Sequence, residues 1–145
     1  MTTIEIAVQD AAGARQAGER AGRAVEVTFH RAFDLVPDRL AALDTLIGLG
    51  YTRVLTSGGA PSVPEGLTAL SELASHAAGR IQIQAGGGLS PAVIPAARAT
   101  GVDAVHLSAK TTVLSEGGPG GGGAAPIEVT DRATVRAAVA AAHAA

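Results

Sequence analysis

The 145-residue chain contains no cysteine, a single methionine and only 2% aromatic residues. The absence of cysteine excludes disulfide bonds and thiolate metal sites. The formal net charge of −2 gives no electrostatic footprint for binding nucleic acid or an anionic membrane. We find neither a leader-like segment nor an apolar run of membrane-spanning length, so we expect a cytoplasmic protein without a nucleic-acid or membrane partner.

The composition is that of a globular domain, with 47% hydrophobic and 17% charged residues. Five short alternating segments predict strands, and each is followed by a stretch with helical features. The predicted strands are 3–8, 25–30, 53–56, 81–84 and 104–107, and the predicted helices are 11–21, 37–49, 65–78, 92–99 and 130–142. This alternation predicts right-handed βαβ units and a parallel sheet.

Each predicted strand is apolar on one side and polar on the other. The polar side carries Glu5, Glu26, Thr28, His30, Gln82, Gln84, His106 and Ser108. In an open doubly wound sheet both faces meet helices, so both should be apolar. The pattern therefore favours a barrel whose lumen holds a site.

A glycine-rich segment interrupts the pattern near the C-terminus. Residues 117–123 are glycine apart from Pro119, a composition that predicts a flexible loop, placed at 115–127. The run lacks the Lys-Ser/Thr ending of a phosphate-binding P-loop. We expect a C-terminal helix within 128–145.

Four predicted strand ends carry polar or glycine-rich clusters. They are His30-Arg31-Ala32-Phe33-Asp34, Leu55-Thr56-Ser57-Gly58, Ala85-Gly86-Gly87-Gly88 and Val105-His106-Leu107-Ser108. In this order and spacing they closely resemble the copper homeostasis protein family CutC, over about residues 25–109. The family consists of TIM barrels, so the resemblance implies that this stretch corresponds to strands five to eight.

The segment 4–14 is similar to the first strand and first helix of the same family. Only residues 15–24 lie between that segment and the next predicted strand, where a complete member has three further strands. The resemblance therefore implies an internally shortened member. We expect one domain over 1–145, an α/β fold derived from a TIM barrel, with about five parallel strands and surrounding helices. Its parts would be 1–24 (first strand and helix), 25–114 (second-half motifs), the loop and the C-terminal helix.

Two histidines are candidate metal ligands. His30 would face the lumen, where an imidazole can bind metal or act as an acid or base. The alternative is a structural, hydrogen-bonded His30 beside an Arg31–Asp34 ion pair. His30 and His106 together could offer two nitrogens to copper, although copper(I) prefers thiolate or thioether donors.

The glycine-rich strand ends are candidate anion sites, because backbone N–H groups can hold a phosphate. Arg31, Ser108 and the clusters Thr56-Ser57-Gly58 and Gly86-Gly87-Gly88 are the predicted anion-binding residues, the last one preceding a predicted helix start at Ser90. The alternative is that these glycines only permit tight turns. Glu5 is a candidate base or ligand, or else a paired barrel carboxylate.

Three functions follow from these residues. The resemblance implies copper handling, with copper as a possible cofactor and a lumen site at the strand C-terminal ends. The second is a phosphate-binding barrel that acts as an isomerase or lyase on a small phosphorylated metabolite, with His30 or Glu5 as the catalytic acid or base. The third is a shortened barrel without activity. The partner would be a small, anionic molecule, and open sheet edges predict a homodimer.

Overall fold

The computed structural model describes residues 26–115 and 124–143. The predicted first strand and helix, with Glu5, lie outside these residues. The elements are β1 (Thr28–Phe29), a 3-10 helix (Arg31–Leu35), α1 (Arg39–Gly48), β2 (Arg53–Thr56), α2 (Val63–Ala77), β3 (Gln82–Gly86), α3 (Ile94–Ala99), β4 (Ala104–His106), β5 (Lys110–Leu114), β6 (Pro126–Thr130) and α4 (Arg132–His143).

The first four strands form one parallel sheet in the order β1-β2-β3-β4. Spatial order therefore follows chain order, with a helix between β1 and β2, between β2 and β3, and between β3 and β4. This confirms the predicted parallel α/β arrangement. Four of the expected five parallel strands are described, since the predicted strand 3–8 falls outside.

The sheet is buried on one side and partly open on the other. Val54, Ile83 and Ala85 are fully buried against helix residues such as Leu43 and Leu70. Burying an aliphatic side chain of this size stabilises the fold by about 1.5–3 kcal/mol. On the opposite side Gln82 is exposed and Gln84 is half-buried, as the predicted polar face requires.

Two helices begin later than predicted. Asp38 is the N-cap of α1, not a residue of its first turn, because its carboxylate accepts a hydrogen bond from the Ala41 N–H at 3.0 Å. The helix predicted from Ala92 begins only at Ile94, after a turn in which the Val93 N–H donates to the Ser90 carbonyl.

The prediction for the C-terminal region was wrong in one respect. Strands β5 and β6 pair antiparallel, so Pro126–Thr130 belongs to a hairpin and not to the loop or the C-terminal helix. That helix begins at Arg132, after Asp131 accepts hydrogen bonds from the backbone N–H groups of Ala133 and Thr134. None of the helices in 26–115 and 124–143 has the length and apolarity needed to cross a membrane.

Candidate functional site

The first cluster forms a tight turn at the end of β1. His30 is the N-cap of the 3-10 helix, and its Nδ1 accepts a hydrogen bond from the Ala32 N–H at 3.0 Å. Phe33 is 1% exposed and anchors the turn in the core. The Nδ1 of His30 is therefore used within the turn, as the structural alternative for this residue implies.

Asp34 joins the first two clusters. Its carboxylate accepts hydrogen bonds from the Thr56 hydroxyl at 2.5 Å, the Gly59 N–H at 2.9 Å and the Ser57 N–H at 3.1 Å. It also forms an ion pair with Arg31, whose Nε lies 2.8 Å from Oδ2. The turn after β1 and the turn after β2 are thus one hydrogen-bonded unit.

This network keeps Asp34 ionised. Burial opposes the charge, but hydrogen bonds from the Thr56 hydroxyl, the Arg31 guanidinium and the backbone of Gly59 and Ser57 outweigh it and hold the pKa below its usual value. Arg31 is therefore paired with a carboxylate at neutral pH.

The second cluster faces inward. The side chains of Thr56 and Ser57 are fully buried. Ser57 Oγ accepts from Arg31 Nη2 at 2.8 Å and lies 2.6 Å from the Ala60 carbonyl oxygen, while the Gly58 N–H donates to Thr56 Oγ1. These groups are used within the fold, and none of Thr56, Ser57 and Gly58 lines the cleft at the ends of β3 and β4.

The third cluster needs glycine for close approach. Gly87 has φ +112° and its Cα lies against the Arg31 guanidinium, so an added Cβ would sit 2.6 Å from Nη1. Its carbonyl accepts from the Val63 N–H, the first residue of α2. Gly88 has φ +64° and packs against Ser62. Both residues therefore need to be glycine for the turn, and Gly87 also for its close contact with Arg31.

A cleft of about 360 Å³ lies at the C-terminal ends of β3 and β4. Its lining is Arg31, Leu55, Gly87, Gly88, Leu89, His106, Leu107 and Ser108. The cleft unites five of the predicted site residues. His30 does not line it, and Gly86 lies within β3, where a Cβ would meet Leu55.

The sequence did not single out the three leucines. Leu55, Leu89 and Leu107 supply the apolar part of the lining. Leu55 and Leu107 belong to the clusters named above and Leu89 directly follows one, and that position was the available signal. In the described part of the chain no carboxylate lines the cleft, and Arg31 is its one guanidinium.

The donor set does not fit copper. In 26–115 and 124–143 no group of three or more His, Asp or Glu side chains could hold a metal ion, and the chain has no cysteine. His30 and His106 follow or end the two outermost strands of the sheet. His106 lines the cleft and His30 does not, so the cleft itself offers only one of the two predicted histidine ligands.

Comparisons of the sequence and of the structure with known proteins all point to one family. The sequence model of the CutC family matches residues 5–111. A CutC family protein of Vibrio vulnificus is 51% identical over 87 residues, which are 59% of this chain and 35% of the relative. A human protein named copper homeostasis protein cutC homolog is 45% identical over 91 residues, 62% of this chain and 33% of the relative.

A solved CutC structure from Streptococcus agalactiae matches with a TM-score of 0.56 and 31% identity. The match covers 63% of this chain and 48% of that one. This confirms the expected α/β fold class derived from a TIM barrel. The chain spans about a third of the length of the curated relatives it matches.

Proposed function

Because the chain belongs to the CutC family, we propose that it uses the strand-end cleft of this fold to bind a small anionic metabolite, such as a phosphate ester. The observation that carries the proposal is the Arg31 guanidinium, held beside Gly87 in a cleft that no described carboxylate lines. A volume of about 360 Å³ suits a small ligand.

Arg31 is positioned before any ligand arrives. Its Nε is taken by Asp34 and its Nη2 by Ser57, each at 2.8 Å. Nη1 forms no hydrogen bond with the described residues, and a Cβ at Gly87 would sit 2.6 Å from it. A guanidinium fixed in this way loses little rotamer entropy when it binds an oxyanion, and charge-assisted hydrogen bonds are stronger than neutral ones.

The cleft contains two further hydrogen-bond donors besides Arg31. The hydroxyl of Ser108 and the backbone N–H of Gly88 take part in no hydrogen bond with the described residues. Both residues line the cleft with Arg31. For a proton transfer to a bound ligand, His106 is the imidazole that lines the cleft, in place of His30.

Copper handling is the second candidate, favoured by the name of the human relative. The cleft offers one imidazole, from His106, and no sulfur. Such a donor set suits an anion better than copper(I). We therefore place the anionic ligand first.

Calorimetric titration with inorganic phosphate and with phenyl phosphate tests the proposal. Arg31→Ala should weaken binding of either probe at least tenfold, and Ser108→Ala should weaken it less. The matched control is Arg39→Ala, because the Arg39 guanidinium packs against Gly59 as Arg31 packs against Gly87, but outside this cleft.

Two outcomes would contradict the proposal. One is the absence of measurable phosphate or phenyl phosphate binding to the unaltered chain. The other is tight copper binding that His106→Ala abolishes and Arg31→Ala leaves unchanged, which would favour the metal.

A further inference from the structure

The β5–β6 hairpin stands apart from the parallel sheet. All five residues of β5 are exposed, as are four of the five in β6. Among the described elements, the two strands make their extensive contacts only with each other. A two-stranded hairpin is marginally stable alone, and three or more strands are usually needed. Pairing with further strands would therefore stabilise the hairpin.

The register shows which backbone groups of β5 have no partner among residues 26–115 and 124–143. The Ser115 N–H donates to the Ala125 carbonyl at 2.9 Å, and the Asp131 N–H donates to the Ala109 carbonyl at 2.7 Å. Hydrogen-bonded pairs alternate along an antiparallel ladder, so odd-numbered residues of β5 bond to β6. The N–H and carbonyl groups of the even-numbered residues, 110, 112 and 114, consequently point away from β6.

The outer edge of β6 is poorly suited to pairing. By the same alternation its outward residues are Pro126, Glu128 and Thr130. Pro126 has no N–H to donate. If β6 paired with a second β6 centred on Glu128, two carboxylates would lie directly opposite each other, which is destabilising. The two edges are therefore not equivalent.

The outer edge of β5 has none of these obstacles. Its outward residues, Lys110, Thr112 and Leu114, each keep a backbone N–H. In an antiparallel pair centred on Thr112, threonine faces threonine and Lys110 faces Leu114. No like charges meet, and all three outward residues of each strand are hydrogen-bonded.

We propose that two copies of this chain associate through antiparallel pairing of β5 with β5, with Thr112 on the twofold axis. The product is a four-stranded antiparallel sheet. This inference is independent of the anion site, and it assigns the homodimer expected from open edges to one edge.

In the proposed four-stranded sheet, the apolar faces of the two hairpins lie side by side. Thr111 and Val113 share one side of the hairpin with Ile127 and Val129. Val113 is 39% exposed and Ile127 is 45% exposed. In the dimer Val113 lies beside the partner's Thr111, so these side chains form one continuous surface. On the other side the stem of Lys110 covers the partner's Leu114, which is 74% exposed in the single chain.

Sedimentation equilibrium on the whole chain tests the proposal. We expect twice the 14.3 kDa monomer mass, falling to the monomer mass in Thr112→Pro, which removes one outward N–H. Glu128→Pro is the matched control, because Glu128 lies directly opposite Thr112 and also points outward. It should leave the dimer intact.

A second measurement holds even if the proline variants disturb the hairpin. The chain contains no cysteine, so Thr112→Cys introduces a single thiol. Hydrogen-bonded antiparallel pairs have Cα atoms about 5.5 Å apart, within disulfide range. Thr112→Cys should form a covalent dimer under mild oxidation far faster than Glu128→Cys.

Three results would overturn the proposal: a monomer at every concentration tested, equal crosslinking of the two cysteine variants, or growth into open-ended assemblies. The last would indicate pairing of β5 with β6 of the next chain.

Discussion

Arg31 and Asp34 form a 2.8 Å ion pair in which the Asp34 side chain is 7% exposed and the Arg31 side chain is 41% exposed. The two partners therefore have different roles. Asp34 is enclosed by hydrogen-bond donors from the turn after β2, whereas Arg31 is held at the cleft surface. The buried partner fixes the geometry of the exposed one.

Asp34→Asn should lower the free energy of unfolding by about 2–3 kcal/mol, as expected for losing hydrogen bonds to a buried charge. The amide would place an N–H donor against other donors, such as Arg31 Nε or the Thr56 hydroxyl. Urea denaturation measures the change. The control is Asp44→Asn: Asp44 pairs with His76 and Arg80 but is half exposed, so less than about 1 kcal/mol is expected. Equal losses would contradict the central role of Asp34.

Acid should destabilise the chain partly through Asp34. Its pKa is lower in the folded state than in the unfolded state, whose value is about 3.9. The stabilisation is therefore complete above the unfolded pKa and is lost as pH falls through the folded pKa. Thermal unfolding between pH 7 and pH 2 should show this decline below about pH 4, and a weaker one in Asp34→Asn. The stability of the variant should still fall somewhat as the pH is lowered, because hydrogen bonds from Thr134 and Ala133 also lower the pKa of Asp131. An unchanged profile in Asp34→Asn would refute the assignment.

Two glycines at helical positions should respond oppositely to alanine. A Cβ on Gly66 in α2 would overlap the Ser57 carbonyl oxygen, whereas a Cβ on Gly48 in α1 meets nothing within 4 Å. Gly66→Ala should therefore cost about 3 kcal/mol or more by forcing α2 away from the turn after β2. Gly48→Ala should be neutral or stabilising by about 0.5–1 kcal/mol. Chemical denaturation of both variants measures the contrast. A mild effect at Gly66 would show that the turn can shift without loss.

Local sequence signals predicted the parallel α/β fold well. Alternation in 81–84 matches the observed burial, since Ile81 and Ile83 are buried and Gln82 is exposed. The Arg31–Asp34 pair was anticipated as one of two alternatives, because residues three apart can meet within a single turn.

Long-range contacts account for what the sequence did not predict. The burial of Ser57 depends on Asp34, 23 residues earlier, and no local pattern encodes that distance. The hairpin was missed because the glycine run between its strands indicates only a loop, while the pairing of Val113 with Ile127 is set by the register of two separate segments.

The hydrogen bonds to Asp34 span 22 to 25 residues and cross from the turn after β1 to the turn after β2. They can form only once β1 has docked alongside β2, and β1 contains just two residues. The arginine geometry therefore depends on the docking of this short strand against β2. An opening of the sheet at β1 alone would release Arg31 from Ser57 while the α2–β3 core stayed folded.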